Sequence, residues 1–189
     1  MPNPWLNKSV SILSDDVGCA RRINARNVTI RDTGDARGRG VFAARDFLAG
    51  DAVIIGLLDR REERRTAYSI QMDWNFHALF QEPANLTNHC CDPNLAIVPN
   101  RFGAYDFVAI RELSPGVELT WDYATSEFES IAVPVCLCSA ADCRQTVGGF
   151  STLPPENALV SAGFYAPYLK QNAGPFPRGI GMFSRFVGS

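Results

Sequence analysis

Between residues 28 and 123 the chain alternates short β-branched or aromatic runs with polar, glycine-bearing turns. Val28-Thr29-Ile30 precedes the turn chemistry of Asp32-Thr33-Gly34-Asp35. Arg37-Gly38-Arg39-Gly40 leads into Val41-Phe42-Ala43-Ala44, and Leu48-Ala49-Gly50-Asp51 leads into Ala52-Val53-Ile54-Ile55. Runs of this length between turn formers read as strands. The same pattern predicts strands over residues 68–72, 76–80, 95–98 and 105–110, with turns at 73–75, 100–103 and 113–116. Val117-Glu118-Leu119-Thr120-Trp121-Asp122-Tyr123 alternates in side-chain character and is rich in aromatics, as a strand should be. Helical signals are few. A helix is expected over residues 156–162, after Pro154-Pro155, whereas residues 1–25 show no clear period. The charged run Asp59-Arg60-Arg61-Glu62-Glu63-Arg64-Arg65 has opposite charges at helical spacing and reads as a solvated helix or loop face. The expected fold class is mainly β (α+β), not a doubly wound sheet.

A chain of 189 residues is long enough for one domain with its own core. Its net charge of -2 leaves no basic field of the kind that usually accompanies nucleic-acid binding, so there is no direct nucleic-acid signal. Residues 1–18 show no apolar stretch behind a positive start, and the run at 52–58 is too short to span a membrane. The expectation is an intracellular protein, with cytoplasm and nucleus not distinguished, whose six cysteines are reduced or metal-bound. Asn-x-Ser/Thr triplets at Asn7, Asn27 and Asn85 are chance matches in such a compartment.

Two segments concentrate chemistry. Thr87-Asn88-His89-Cys90-Cys91-Asp92-Pro93-Asn94 brings an amide, an imidazole, two thiols and a carboxylate together before a stiffening proline. Downstream, Cys136, Cys138 and Cys143 offer three sulfurs within eight residues. Tetrahedral zinc needs a fourth ligand, and Cys90 or Cys91 is the obvious supplier. Such a site would staple the downstream segment to the first and contribute folding free energy directly. Gly38 and Gly40, flanking one residue, allow close backbone approach to a ligand but lack the rest of a dinucleotide fingerprint. Cys19 reads as a small core residue and His77 as a satisfied structural group.

Four pieces in order carry a family resemblance: Gly38-Arg39-Gly40-Val41-Phe42-Ala43, Asn88-His89-Cys90-Cys91-Asp92-Pro93-Asn94, Glu118-Leu119-Thr120-Trp121-Asp122-Tyr123, and the downstream cysteines. Together, over about residues 27–150, the chain resembles a SET-domain lysine methyltransferase with a post-SET zinc motif. The resemblance implies a fold of short β-sheets with knot-like threading, a small post-SET zinc segment and a C-terminal helical tail. It divides the chain into an N-terminal extension (1–26), a SET core (27–125), a post-SET segment (126–150) and a tail packing on the core (151–189). It also implies S-adenosylmethionine against Gly38, Arg39, Gly40, Asn88 and His89, and structural Zn2+ on Cys91, Cys136, Cys138 and Cys143. Cys90 stands where the family usually has serine. Tyr123 would be the catalytic tyrosine, and Trp121 and Tyr68 would line the acceptor channel. Trp121 is bulkier than the Phe or Tyr expected at its position, which points to restricted methylation or an altered substrate.

The reaction so implied is in-line methyl transfer to a lysine amine of a protein or peptide. Two other readings remain open: transfer to a small-molecule amine, and a zinc-stabilised binding module without catalysis.

Overall fold

The computed structural model describes residues 17–172. In chain order it contains helix α1 (Val17–Asn27), strands β1 (Val28–Asp32), β2 (Arg39–Ala43), β3 (Ala52–Ile54), β4 (Leu58–Glu62), β5 (Ile70–Asp73) and β6 (Phe76–Phe80). Strands β7 (Asn88–His89), β8 (Leu95–Pro99), β9 (Tyr105–Ala109) and β10 (Glu118–Trp121) follow, and then helix α2 (Ala158–Ala162). No described helix is long and apolar enough to cross a membrane. The N-terminal residues and the aromatic segments running to Phe186 lie outside the described residues.

The strands form three small sheets, ordered β1-β2-β10-β7, β3-β9-β8 and β4-β6-β5. Their inner faces merge into one core. Val41 and Leu119 of the first sheet, Val53, Leu95 and Phe107 of the second, and Phe80 of the third are at most 1% exposed. Burying each such side chain stabilises the fold by about 1.5–3 kcal/mol. Residues beyond 146 join this core through Val147, Phe150 and Leu169. Asn157 caps α2 by accepting the N–H groups of Leu159 and Val160, and Gly163, in the left-handed region at φ 78°, ends it.

Helix α1 has no apolar stripe, which explains why periodicity missed it. Its buried face is Ala20, Asn24 and Asn27. The Asn24 amide both donates to the Ile55 carbonyl and accepts the Ile55 N–H, each at 2.8 Å. Asn27 donates to Val53 O at 2.9 Å, so two amides, with the Ala20 methyl packed on Ile55 and Leu57, dock the helix on β3 and the residues after it.

The charged run is likewise not a helix. Residues 58–62 form β4, an edge strand paired antiparallel with β6, with Leu58 opposite Phe80 and Glu62 opposite His77. An edge strand tolerates charge on its open side, and pairing with β6 overrides the local helical spacing. His77 on β6 also departs from expectation: its Nε2 is buried without a hydrogen-bond partner among the described residues. Cys19 is only half-buried.

Candidate active site and thiol cluster

The parallel pairing of β7 with β10 sets Asn88 beside Thr120 and His89 beside Trp121. Proline stops β7 from continuing, and residues 90–94 fold back around β10. Cys90 N–H donates to Trp121 O at 3.1 Å, and Asn94 N–H to Thr120 O at 3.2 Å. The Asn94 side chain then acts as an extra rung, donating to Glu118 O at 2.7 Å and accepting Thr120 N–H at 2.9 Å. The two polar motifs of the sequence are therefore one structural unit.

Beside this unit lies a cavity of about 650 Å³. Gly38, Arg39, Asn88 and His89 line one part of it, and Tyr68, Ser69 and Glu127 another, with Trp121 and Tyr123 also in its wall. Gly38 has φ +74°, a conformation that side chains disfavour. A Cβ at Gly40 would meet Glu118 Oε1 and Thr33 Cγ2 at 2.9 Å and Asn88 Nδ2 at 3.0 Å. That missing side chain makes room for the Asn88 amide, whose Nδ2 donates to Arg39 O at 3.2 Å and Glu118 Oε1 at 3.0 Å. Both amide hydrogens are thus committed, and Oδ1 is left as the available acceptor. Arg37 steadies Glu118 through two contacts of 3.0 and 3.1 Å. Arg39 reaches across to Glu82 at 3.1 Å.

Tyr123 and Trp121 converge on one backbone oxygen. The Tyr123 hydroxyl donates to Thr87 O at 3.0 Å, and the Trp121 indole N–H donates to the same atom at 3.2 Å. Trp121 is only 3% exposed and packs edge-on against Phe107, 5.5 Å between ring centroids. Burial, and then the Glu118 charge, push the Tyr123 phenol above its ordinary pKa. It stays protonated and serves as a hydrogen-bond donor rather than a base. Tyr68, by contrast, precedes the strand expected to hold it and is 74% exposed at the cavity.

His89 is occupied by the protein itself. Its Nδ1 accepts the Tyr123 backbone N–H at 3.3 Å, which assigns the ring proton to Nε2, 3.3 Å from Cys91 Sγ. Burial lowers its pKa to about 4, so the ring is neutral in ordinary buffers. The imidazole therefore joins Tyr123 to the thiols instead of presenting a ring nitrogen to the cavity.

The sulfurs of Cys91, Cys136, Cys138 and Cys143 lie within 4.8 Å of one another. Cys91 and Cys136 Sγ are 3.9 Å apart, where regular tetrahedral zinc with bonds of about 2.3 Å needs an edge of about 3.8 Å. Backbone N–H groups point at the sulfurs: Arg144 to Cys91 at 3.4 Å, Cys91 to Cys138 at 3.5 Å and Gln145 to Cys143 at 3.4 Å. Burial raises the Cys91 and Cys136 thiols above their ordinary range. At Cys138 burial is outweighed by N–H groups of Cys91 and Ala140 and by the Cys136 and Cys143 side chains, which together bring it down to about 6. A bare cluster thus favours one thiolate, and a divalent cation supplies the charge that would ionise all four. The donor set fits structural zinc. Cys90 is outside it, its thiol donating to Asp92 O at 3.3 Å.

Several functional positions escaped sequence reasoning. Thr87 acts through its carbonyl, which no side-chain pattern reveals. Asp122, with a side chain 0% exposed, takes a two-pronged ion pair from Arg144 at 2.6 and 2.8 Å, bridging the thiol segment to β10. Glu127 is 6% exposed in the cavity wall. Only the adjacency of Asp122 to Tyr123 and of Arg144 to Cys143 hinted at the first pair.

Comparison with known proteins agrees with this geometry. The family model described as "SET domain" matches residues 38–124. The chain is 30% identical over 154 residues to "Histone-lysine N-methyltransferase set1" of Dictyostelium discoideum, covering 71% of this chain and 10% of that protein. It is 39% identical over 62 residues to "Probable histone-lysine N-methyltransferase set-23" of Caenorhabditis briggsae, covering 31% of this chain and 26% of that one. A solved structure described as "Structural basis for the product specificity of histone lysine methyltransferases" superposes with a TM-score of 0.51 at 25% identity, covering 68% of this chain and 59% of that one. The chain therefore spans between a tenth and about a quarter of the length of these two curated relatives.

Proposed function

We propose that this chain, which belongs to the SET-domain family, transfers the methyl group of S-adenosylmethionine to the side-chain amine of a lysine in a protein. The observation that carries the reading is the convergence of the Tyr123 hydroxyl and the Trp121 indole on Thr87 O, in the wall of a cavity that Gly38 and Asn88 also line. The two relatives are named as histone-lysine methyltransferases, which supports a protein acceptor over a small amine. Histones or other lysine-bearing proteins inside the cell are the acceptor class we assign.

S-adenosylmethionine supplies an electrophilic methyl on a sulfonium, and the bonding pair stays with sulfur when that methyl leaves. The protein's part is positioning. Gly38 to Gly40 offer a close backbone approach, and Asn88 Oδ1 is oriented to accept from the donor's ammonium. The Tyr123 oxygen, its proton committed to Thr87 O, presents an acceptor that holds a polarised methyl through weak C–H···O contacts. The acceptor amine must be neutral to attack. Its ordinary pKa of about 10.4 falls on leaving water for a cavity beside a sulfonium. Trp121 fills space beside Tyr123 and limits how many methyl groups the acceptor nitrogen can carry. Cys91, Cys136, Cys138 and Cys143 would hold a structural Zn2+ that clamps residues 136–143 onto the Asn88-His89 loop. Most of the acceleration then comes from orientation and desolvation.

The test is incubation with methyl-labelled S-adenosylmethionine, core histones and a metabolite extract. Label in protein lysine is expected, with a Tyr123→Phe variant slower by about a hundredfold. Label confined to small molecules would replace the acceptor class, and an undiminished variant would remove Tyr123 from the mechanism.

A further inference from the structure

We infer that Glu127 is a subsite for a basic side chain of the acceptor, an assignment that rests on the lysine-transfer reading above. Glu127 follows the turn begun by Tyr123, and its N–H donates to Tyr123 O at 3.1 Å. Its own carbonyl accepts Phe150 N–H at 2.7 Å, and its Oε1 accepts the Gln71 backbone N–H at 2.6 Å. Two bonds therefore fix its backbone and one holds its carboxyl, in a wall shared with Tyr68 and Tyr123.

What the carboxyl lacks is a contacting cation. Among the described residues no cation forms an ion pair with it, and Oε2 accepts no hydrogen bond. Arg65 is the basic group whose charge reaches it, but it makes no ion pair with Glu127 among the described residues, and its Nη1 donates instead to Glu129 O at 2.5 Å. The phenols of Tyr105 and Tyr168, both of which feel the Glu127 charge, supply no positive charge. Burial raises the Glu127 pKa to about 7, with Gln71 N–H and Arg65 opposing it only in part. A buried carboxylate without a partner is costly, and a residue with only a structural role there gains by being uncharged. The cavity is the route by which a cation can reach it. A lysine or arginine side chain supplies both the missing charge and a donor for Oε2. Tyr68, exposed at the same cavity, adds an aromatic face to such a cation.

The experiment is steady-state kinetics of the full chain and Glu127→Gln on core histones between pH 6 and 8.5. At pH 8 the variant's KM for histone should rise about 10- to 100-fold, the range of a charge-assisted hydrogen bond, with a much smaller change in kcat and in KM for S-adenosylmethionine. The ratio of wild-type to variant kcat/KM should climb as pH rises through about 7 and level off above it. Glu127→Asp should recover part of the loss. Peptides around the mapped site then locate the cation, with binding measured beside S-adenosylhomocysteine, which lacks the sulfonium charge. If the target lysine is the ligand, replacing it by norleucine weakens wild type and leaves Glu127→Gln unchanged. If a flanking basic residue is the ligand, its replacement by glutamine gives that pattern instead. A histone KM that does not change, or a pH-independent ratio, overturns the assignment while leaving lysine transfer intact. A wild-type chain that transfers no methyl overturns both.

Discussion

Replacing Arg144 by methionine tests how the thiol segment supports the site. The substitution keeps most of the side-chain stem and removes the guanidinium that makes two contacts, 2.6 and 2.8 Å, with Asp122. Asp122 is 0% exposed at its side chain, so its charge has no water to fall back on, while Arg144 is 24% exposed. Breaking a buried pair by deleting one member costs about 3–5 kcal/mol. Partial access of water through the vacated Arg144 position argues for the lower end, about 3 kcal/mol. For a chain of this size each kcal/mol lowers Tm by about 2–4 °C, so a fall of about 6–12 °C is expected. Urea unfolding at fixed free zinc gives the free energy, and calorimetry gives Tm. The double variant Asp122→Asn/Arg144→Met removes the orphaned charge and should regain more than about 1 kcal/mol over Arg144→Met alone. Because Asp122 also caps the turn at Tyr123–Thr125, accepting Ala124 N–H at 3.1 Å, methyl transfer should fall with stability. A loss below about 1 kcal/mol, or a double variant no better than the single, would refute the view that this pair couples the two segments.

Three further outcomes follow. Gly40→Ala drives a Cβ to within 3.0 Å of Asn88 Nδ2 and 2.9 Å of Glu118 Oε1, so calorimetric affinity for S-adenosylhomocysteine should drop by about tenfold or more. Purified chain should carry one zinc by elemental analysis, lost in Cys138→Ser and retained in Cys90→Ser, because Cys90 neighbours the four-sulfur group without belonging to it. The folded Glu127 carboxyl holds its proton up to about pH 7, whereas an ordinary Glu releases it near 4.5. The unfolded chain therefore binds fewer protons across that window, and Glu127 makes stability fall between pH 4.5 and 7 by up to about 3 kcal/mol. Glu127→Gln should be the more stable protein at pH 8 and no more stable at pH 4, read by urea unfolding. The opposite order at pH 8 would mean that the carboxylate is already paired.

What the sequence disclosed and what it hid divide along physical lines. Strands β1, β2, β3, β6, β8, β9 and β10 were legible because β-branched and aromatic runs between turn formers leave one dominant local conformation. The four thiols were legible because sulfur spacing and the family pattern agree, and the structure brings Cys91 rather than Cys90 to the other three. Helix α1 was hidden because asparagine amides bury it. Strand β4 was hidden because its charges face solvent and its pairing partner lies some twenty residues away, with Leu58 opposite Phe80. Within the site, Asn88 and Tyr123 were expected and line the cavity. His89 was expected to touch a ligand; it too lines the cavity, with its ring nitrogens engaged by Tyr123 N–H and Cys91. Thr87 and Glu127 stayed hidden because one acts through its backbone and the other acquires its character from burial, which only the folded chain creates.

The most direct measurement is tandem mass spectrometry of core histones after incubation with the purified chain and S-adenosylmethionine bearing a deuterated methyl. Deuterated methyl on defined lysine side chains, absent when Tyr123→Phe replaces the wild type for the same interval, is the expected result. Histones that remain unlabelled while zinc is bound and S-adenosylhomocysteine binds would contradict lysine transfer.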